Sequence, residues 1–482
     1  MGLYGHLKLI TRKLLYIAEG ENVMRTTENL LDKVRKLHFV GIGGSGMCPM
    51  AEILFAGGYE LTGSDSGQSD TLERIKGYGI KVYPTHAAEN IGDAEMVVYT
   101  AAAKQDNPEL VAAREKGIPC IERSVCLGLL TDRFDNTIAV SGTHGKTSTT
   151  GMLTSILIEA GEDPNAVIGG KLPSIGSNGR VGKSQNMVCE ACEYVDSFLQ
   201  IHPAVALILN VDADHLDYFG TLENIIKSFR QFGTQTGKTI IVNGDDNNAL
   251  KAIEGLDHVN TITFGLSDKN DYYPAELNEA ASACESFTLM YKGEKVCRVD
   301  LIVPGFHNML NALAAAAAAH NMGVSGEAIK RALESFGGVH RRFEVLGKFE
   351  GVTVADDFAH HPTELKAVLS SASKMGYGNV WAVFQPHTYS RTAMFLNEFA
   401  EALSIPEHCV MTEILAVREE NTYNIYTSDL EAKIPGACHF GSFEKIADYV
   451  MKEAKEGDLI LTLGGGDIYK CANLIVKKYK ER

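Results

Sequence analysis

Asn136-Thr137-Ile138-Ala139-Val140-Ser141-Gly142-Thr143-His144-Gly145-Lys146-Thr147-Ser148 is the stretch that decides the architecture. A short strand-forming run enters a glycine loop, and a helical pattern leaves it from Thr147 to Ala160. That order aims backbone N–H groups at a helix N-terminus, where a phosphate is held. Lys146 adds a movable positive charge for the β- and γ-phosphates, and the Thr147 hydroxyl suits Mg²⁺. Gly142, Thr143, His144, Gly145, Lys146, Thr147 and Ser148 are therefore the expected triphosphate cradle. Val140 stands where the standard G-x-x-x-x-G-K-[ST] loop has its first glycine, so this loop is shorter.

Working outward, the same strand–turn–helix rhythm recurs on both sides. Upstream, Lys36 to Val40 leads into Gly41-Ile42-Gly43-Gly44-Ser45-Gly46, followed by a helix-like Met47 to Gly57. Strands follow at Val97-Val98-Tyr99 and Ile118 to Ile121, and the unit closes near Leu130. Downstream, Asn186 to Cys189, Ala204 to Leu209 and Thr239 to Val242 read as buried strands. Ala312 to His320 is alanine-dense, and helix packing explains it. The pattern resets at Gly337-Gly338, with strands Val352 to Ala355, Val380 to Phe384 and Leu459 to Leu463, and a helix from Thr363 to Lys374. The expectation is an α/β chain of three domains. These are an N-terminal Rossmann-like domain over 34–133, a central P-loop ATPase-type domain with a mainly parallel sheet over 134–337, and a C-terminal Rossmann-like domain over 338–482. Residues 1–33 are an N-terminal extension.

Bulk properties bound the function. At 482 residues the chain is too long for one core. Its formal net charge of -16 repels polyanions, so nucleic acid is not an expected partner. Ten scattered cysteines in an acidic α/β-type sequence read as a reduced, cytoplasmic protein. The lone pair Cys189 and Cys192 lacks further ligands for zinc. No apolar run approaches the roughly 20 residues of a membrane span. Leu7 to Ile17 is basic but too interrupted by charge for a signal peptide, and Met24 is a second possible start. Residues 1–23 are read as a mis-called or poorly ordered extension; mass spectrometry of the native N-terminus tests this.

Further polar groups cluster after strands. Glu190 and Glu193 follow one, and Asp212, Asp214 and His215 another. Strand ends of a parallel sheet converge on one edge, so Glu190 and His215 can reach metal ions bridging phosphates. In the third unit, Val339 to Glu344, Asp356 to Glu364 and Phe384 to Thr392 gather Arg and His residues suited to anions and to charge on a phosphoryl group. The first glycine loop, with Asp65 about twenty residues on, by itself says only that a diphosphate sits on a helix N-terminus. An NAD-dependent dehydrogenase would show as much.

Taken together and in this order, these motifs resemble the Mur ligases of bacterial cell-wall synthesis, over roughly residues 34–480. Asn107-Pro108-Glu109, Asn210 to Asp217 and Pro304 to Asn311 add to the likeness. Cys192 stands where many relatives have Asp. The resemblance implies that Gly43, Gly44, Ser45, Gly46 and Met47, with Asp65, His86, His387 and Tyr389, bind a UDP-sugar. It implies that His307, Asn308, Asn311, Arg342 and Asp357 complete the ATP site, and that Thr147, Glu190 and His215 hold Mg²⁺. Lys146, His360, His361 and Arg391 are the implied catalytic residues. The implied reaction joins L-alanine to the carboxylate of UDP-N-acetylmuramate with ATP, through an acyl phosphate, in a monomer or homodimer whose domains close. The alternatives are another UDP-muramoyl peptide ligase, the dehydrogenase, or a nucleotide-binding regulator without catalysis.

Overall fold

A computed structural model describes residues 29–277, 284–417 and 419–482. The proposed extension over 1–23 lies outside them. Packing of the first unit begins before residue 34: Leu31 and Val34 are buried, and the Tyr59 hydroxyl donates to the Leu31 carbonyl at 2.8 Å.

Three sheets account for the chain. The first contains β1 (Lys36–Val40), β2 (Glu60–Ser64), β3 (Lys81–Tyr83), β4 (Met96–Tyr99) and β5 (Cys120–Glu122). Its order is β3-β2-β1-β4-β5 and all pairs are parallel. The chain reverses direction of winding beside β1, which puts the Gly41–Gly46 loop at the switch point.

The central sheet has ten strands: β6 (Asn136–Ser141), β7 (Asn165–Leu172), β8 (Ser177–Arg180), β9 (Asn186–Glu190), β10 (Val205–Ile208), β11 (Thr239–Asn243), β12 (Asn260–Phe264), β13 (Tyr272–Ala275), β14 (Cys284–Tyr291) and β15 (Glu294–Pro304). They run β15-β14-β13-β12-β11-β10-β6-β9-β7-β8. β6 sits between β10 and β9, parallel to both, so the phosphate loop leaves from mid-sheet and the ends of β9 and β10 flank it. The helix Phe306–Asn321 packs along the helix Lys146–Glu159, with Ala312 to Ala319 all essentially solvent-free. Small side chains let the two helices and the sheet approach closely. The antiparallel additions at the sheet edges, β8 and the β14–β15 hairpin, are absent from the periodic reading. The half-exposed hairpin strands carry charged residues among the apolar ones, and β8 (Ser177-Asn178-Gly179-Arg180) has no apolar run at all, so none of the three shows the continuous apolar pattern of the parallel core.

The third sheet comprises β16 (Glu344–Phe349), β17 (Val352–Asp357), β18 (Val380–Phe384), β19 (His408–Met411), β20 (Cys438–His439) and β21 (Leu459–Leu463), ordered β16-β17-β21-β18-β19-β20. Only β16 is antiparallel. Among the described residues no helix is long and apolar enough to cross a membrane.

Candidate active site

The phosphate loop is shaped by two left-handed glycines. Gly142 has φ +138° and Gly145 φ +87°, and Gly145 is the cap from which the helix Lys146–Glu159 starts. A Cβ at Gly145 would lie 2.4 Å from the Asn311 amide oxygen, so this loop tolerates no side chain there. Asn210 braces it from the end of β10: its side chain accepts from the His144 N–H at 2.8 Å and donates to the His144 carbonyl at 3.0 Å. The first-turn N–H groups of the helix have no intrahelical acceptor and face the loop's concavity.

Lys146 is not loose. Its ammonium donates to the Gly142 carbonyl at 2.5 Å, the Thr143 carbonyl at 3.1 Å and Glu193 at 2.8 Å, using all three protons. Lys146 is buried with a raised pKa: burial opposes the charge, and Glu193 outweighs it. The other oxygen of Glu193 is buried without a partner. A phosphate on the loop must therefore compete with Glu193 for the ammonium, an arrangement the spacing of residues did not reveal. Beside it, Glu190 accepts from the Gly169 N–H at 2.5 Å and from the Thr147 hydroxyl, and burial pushes its carboxyl upward. A half-buried carboxylate beside a hydroxyl suits a divalent cation. No group of three or more metal-ligating side chains converges among the described residues.

His215 follows β10 with φ +52°, its ring 4.5 Å from that of Tyr194 and its Nε2 3.7 Å from Asp214. Of the residues expected to complete the ATP site, Asn308 donates to the Pro304 carbonyl at 2.7 Å and accepts from Asn311 at 3.2 Å, and Asn311 also accepts from Thr149 at 3.3 Å. His307 lines a cavity with Phe306, Leu310 and Ser371, with Lys374 at its edge; burial and then Arg342 push its pKa down to about 4. Asp357 closes the group. Its carboxylate accepts from the Phe343 and Ala359 N–H groups, both at 2.7 Å, and burial lifts it to about 6 against the pull of Arg342. Arg342 thus stands in the field of Glu190, His307 and Asp357 alike. Ser148 is buried in the first turn of the helix.

The C-terminal unit meets this site directly. Glu364, on the helix Pro362–Ala372, lies 3.4 Å from His144 Nδ1. His144 Nε2 is 3.5 Å from Asp212, within ion-pair reach but without an aligned hydrogen bond. Burial opposes the charge on His144, yet the two carboxylates hold its pKa up at about 9. Against its own burial, Glu364 is held well below the usual carboxylate range by His360, His144 and Arg342. Arg391 reaches Asp214 at 3.2 Å, and both are largely buried.

The two neighbouring histidines differ. His360 donates from Nδ1 to the Phe358 carbonyl at 3.0 Å, and burial lowers its pKa to about 4, so its Nε2 carries a lone pair. His361 caps the helix by accepting from the Thr363 N–H at 3.4 Å, and its Nε2 is buried without a partner. His387 packs 5.6 Å from His360 and accepts from Arg391 at 3.4 Å. It belongs to this His–Arg cluster, next to the implied catalytic groups. Tyr389 opens the short helix Tyr389–Met394.

In the first unit, Asp65 is committed to the glycine loop: one oxygen accepts from Gly43 at 2.9 Å and the other from Gly67 at 2.8 Å. A ribose hydroxyl would have to share it. Ser45 offers its carbonyl to Asn178 of the central unit at 2.5 Å, and Met47 is buried beneath the loop. Arg123, unremarked in the sequence reading, lies across Gly46, whose Cβ would meet it at 2.9 Å. It places a cation beside the loop that no local motif announced. His86 sits at the edge of this unit, 2.8 Å from Glu109.

A phosphate-type glycine loop, a carboxylate beside its threonine and a His–Arg cluster brought over it by a third nucleotide-fold unit define a class: enzymes that activate a substrate with a nucleoside triphosphate. Comparison with known proteins narrows the class. Three family models match in order: the Mur ligase family catalytic domain over residues 36–135, the Mur ligase middle domain over 140–319 and the Mur ligase glutamate ligase domain over 341–466. The chain belongs to the Mur ligase family. It is 44% identical over 455 residues to the UDP-N-acetylmuramate–L-alanine ligase of Acetivibrio thermocellus, covering 92% of this chain and 96% of that one. It is 42% identical over 457 residues to the ligase of the same name from Caldanaerobacter subterraneus, covering 94% and 99%. The crystal structure of the UDP-N-acetylmuramate–alanine ligase MurC of Thermotoga maritima superposes with a TM-score of 0.78 at 28% identity, over 92% of this chain and 99% of that one.

Proposed function

We propose that this chain joins L-alanine to the lactyl carboxylate of UDP-N-acetylmuramate, converting ATP to ADP and phosphate. The observation that carries the reading is the apposition of the Gly142–Thr147 loop to Glu364, with His360 against Glu364 and Arg391 held on Asp214 at the end of β10, which unites a phosphoryl donor site with an acyl-transfer site.

The chemistry follows from the groups. A carboxylate is a poor acyl donor, so one of its oxygens attacks the γ-phosphorus and ADP leaves, giving an acyl phosphate. Lys146, drawn from Glu193 towards the phosphates, offsets charge on the transferring oxygens. Mg²⁺ held by Thr147 and Glu190, with a second ion near His215, would supply further charge neutralisation at the phosphates. Asn308, Asn311 and His307 face the adenine side, and Asp357 the ribose. The amine of alanine then attacks the acyl carbon, and the tetrahedral adduct collapses, expelling phosphate and leaving the amide. His360 Nε2, neutral and carrying its lone pair, orients the amine or takes its proton. His361, an end cap with a buried Nε2, shapes the wall. Arg391, His387 and Tyr389 bind carboxylate or sugar oxygens. Gly43 to Met47, Asp65 and His86 hold the UDP moiety. Such substrates place the enzyme in the cytoplasm.

ADP formation across a panel of amino acids, with and without UDP-N-acetylmuramate, tests the reading. Turnover requiring both alanine and the UDP-sugar is expected. ATP hydrolysis indifferent to the UDP-sugar, or a nicotinamide absorbance change, would overturn it.

A further inference from the structure

The largest polar network of the first unit lies beneath its glycine loop. Glu109, in the first turn of the helix Pro108–Glu115, is fully buried, yet four side chains from separate segments converge on it. His38 Nε2 on β1 is 3.3 Å away, the Ser64 hydroxyl at the end of β2 2.7 Å, the Asn90 amide 2.7 Å and His86 Nδ1 2.8 Å. These partners outweigh burial and hold its pKa down to about 2, so it is ionised and can only accept. Each partner must donate. His38 therefore carries its proton on Nε2, and its Nδ1, 2.8 Å from the Thr62 hydroxyl, accepts from it when the ring is neutral. His86, whose side chain is partly exposed, is likewise fixed with a proton on Nδ1, so its Nε2 is the atom left for a ligand.

The network also reaches the loop. The Ser64 side chain is held by Glu109, while the Ser64 carbonyl accepts from the Gly41 N–H at 2.8 Å and the Ile42 N–H at 3.2 Å. One residue further, Asp65 holds Gly43. The carboxylate thus grips both the histidine at the edge of the site and the strand end that sets the loop.

We propose that Glu109 is a positioning residue for the UDP-sugar: it fixes the tautomer and orientation of His86 and, through Ser64, the register of the Gly41–Gly46 loop, without touching substrate. The inference rests on the reading that this loop binds UDP-N-acetylmuramate. It adds a specific division of labour: Glu109 acts on one substrate only. Glu109→Gln keeps the shape but cannot accept four hydrogen bonds with both oxygens.

Steady-state kinetics in all three substrates test this with Glu109→Gln, His86→Asn and the double variant. Glu109→Gln should raise KM for UDP-N-acetylmuramate about tenfold, the effect of weakening one charge-assisted hydrogen bond. KM for ATP and alanine, and kcat, should stay within about twofold. The double variant should be no worse than the more impaired single one, because both changes break one chain of contacts. Parallel losses in every parameter, unchanged KM for the UDP-sugar, or multiplicative effects in the double variant would each overturn the proposal. Should Glu109→Gln fail to fold, Ser64→Ala and His86→Asn must both show the selective rise; if either does not, the proposal falls. Wild-type turnover with UDP-N-acetylmuramate reports on the functional reading itself, whereas ratios among the variants report on Glu109.

Discussion

Two side chains in the phosphate loop illustrate how neighbours set what a residue can do. Lys146 is tied by Glu193 and two carbonyls, so it is pre-aimed rather than searching solvent. Lys146→Ala should abolish ADP formation, by a factor of about a thousand or more, since it removes a cation from a buried phosphoryl-transfer site. Calorimetric binding of UDP-N-acetylmuramate should survive, because that ligand sits on another unit; loss of both together would sink this division of labour. His144 is the pH-sensitive member. Its folded pKa, about 9, lies above the unfolded value of roughly 6.5. The stability it contributes is fully present below about pH 6.5 and is lost as the pH rises through about 9. Between those limits the thermal midpoint of the wild type should fall relative to His144→Gln, by an amount equivalent to on the order of 1–3 kcal/mol. Superimposable pH curves for the two proteins would show that the contacts to Asp212 and Glu364 do not hold the charge.

At the scale of elements, the strand–loop–helix of residues 136–159 works because β6 lies mid-sheet and the helix Phe306–Asn321 closes over it. Gly145 is where these meet. Gly145→Ala would put a left-handed conformation on a residue with a Cβ, costing about 1–2 kcal/mol, and would drive that Cβ into the Asn311 amide. We expect a lower thermal midpoint and at least about tenfold weaker ATP binding, read by nucleotide titration. Unchanged ATP affinity would mean that Asn311 moves aside freely and does not brace the loop. The strand–glycine–helix pattern was legible in the residues from 136 to 148, since it is local. The β14–β15 hairpin was not, because its stability comes from pairing onto β13 and not from its own periodicity.

At the scale of the whole molecule, the reaction needs the third unit on the second. The contacts that bring it there include three polar ones: Glu364 to His144, Arg391 to Asp214 and Thr363 to Asp212. Polar contacts of this kind can form and break, which suits the proposed site, where three substrates enter and water must then be excluded from an acyl phosphate. Removing one partner of a buried ion pair leaves the other uncompensated, at a cost on the order of 3 kcal/mol. Arg391→Ala should accordingly lower kcat/KM by about a hundredfold and reduce the compaction seen by small-angle scattering when an ATP analogue and UDP-N-acetylmuramate are added. A variant that closes and turns over like the wild type would place closure on other contacts.

The amino-acid sequence alone determined the three α/β units, the phosphate loop and the glycine loop of the first unit. Each is built from residues adjacent in the chain, and its backbone geometry follows from glycine, apolar runs and a helix start. Which groups face one another was decided only by tertiary structure. Glu193 reaches Lys146 across 47 positions, Glu109 gathers His38 across 71, and Glu364 meets His144 across 220. No local pattern encodes such pairs. They exist because parallel strands deliver their ends to a common edge, and because a third domain folds back onto the second.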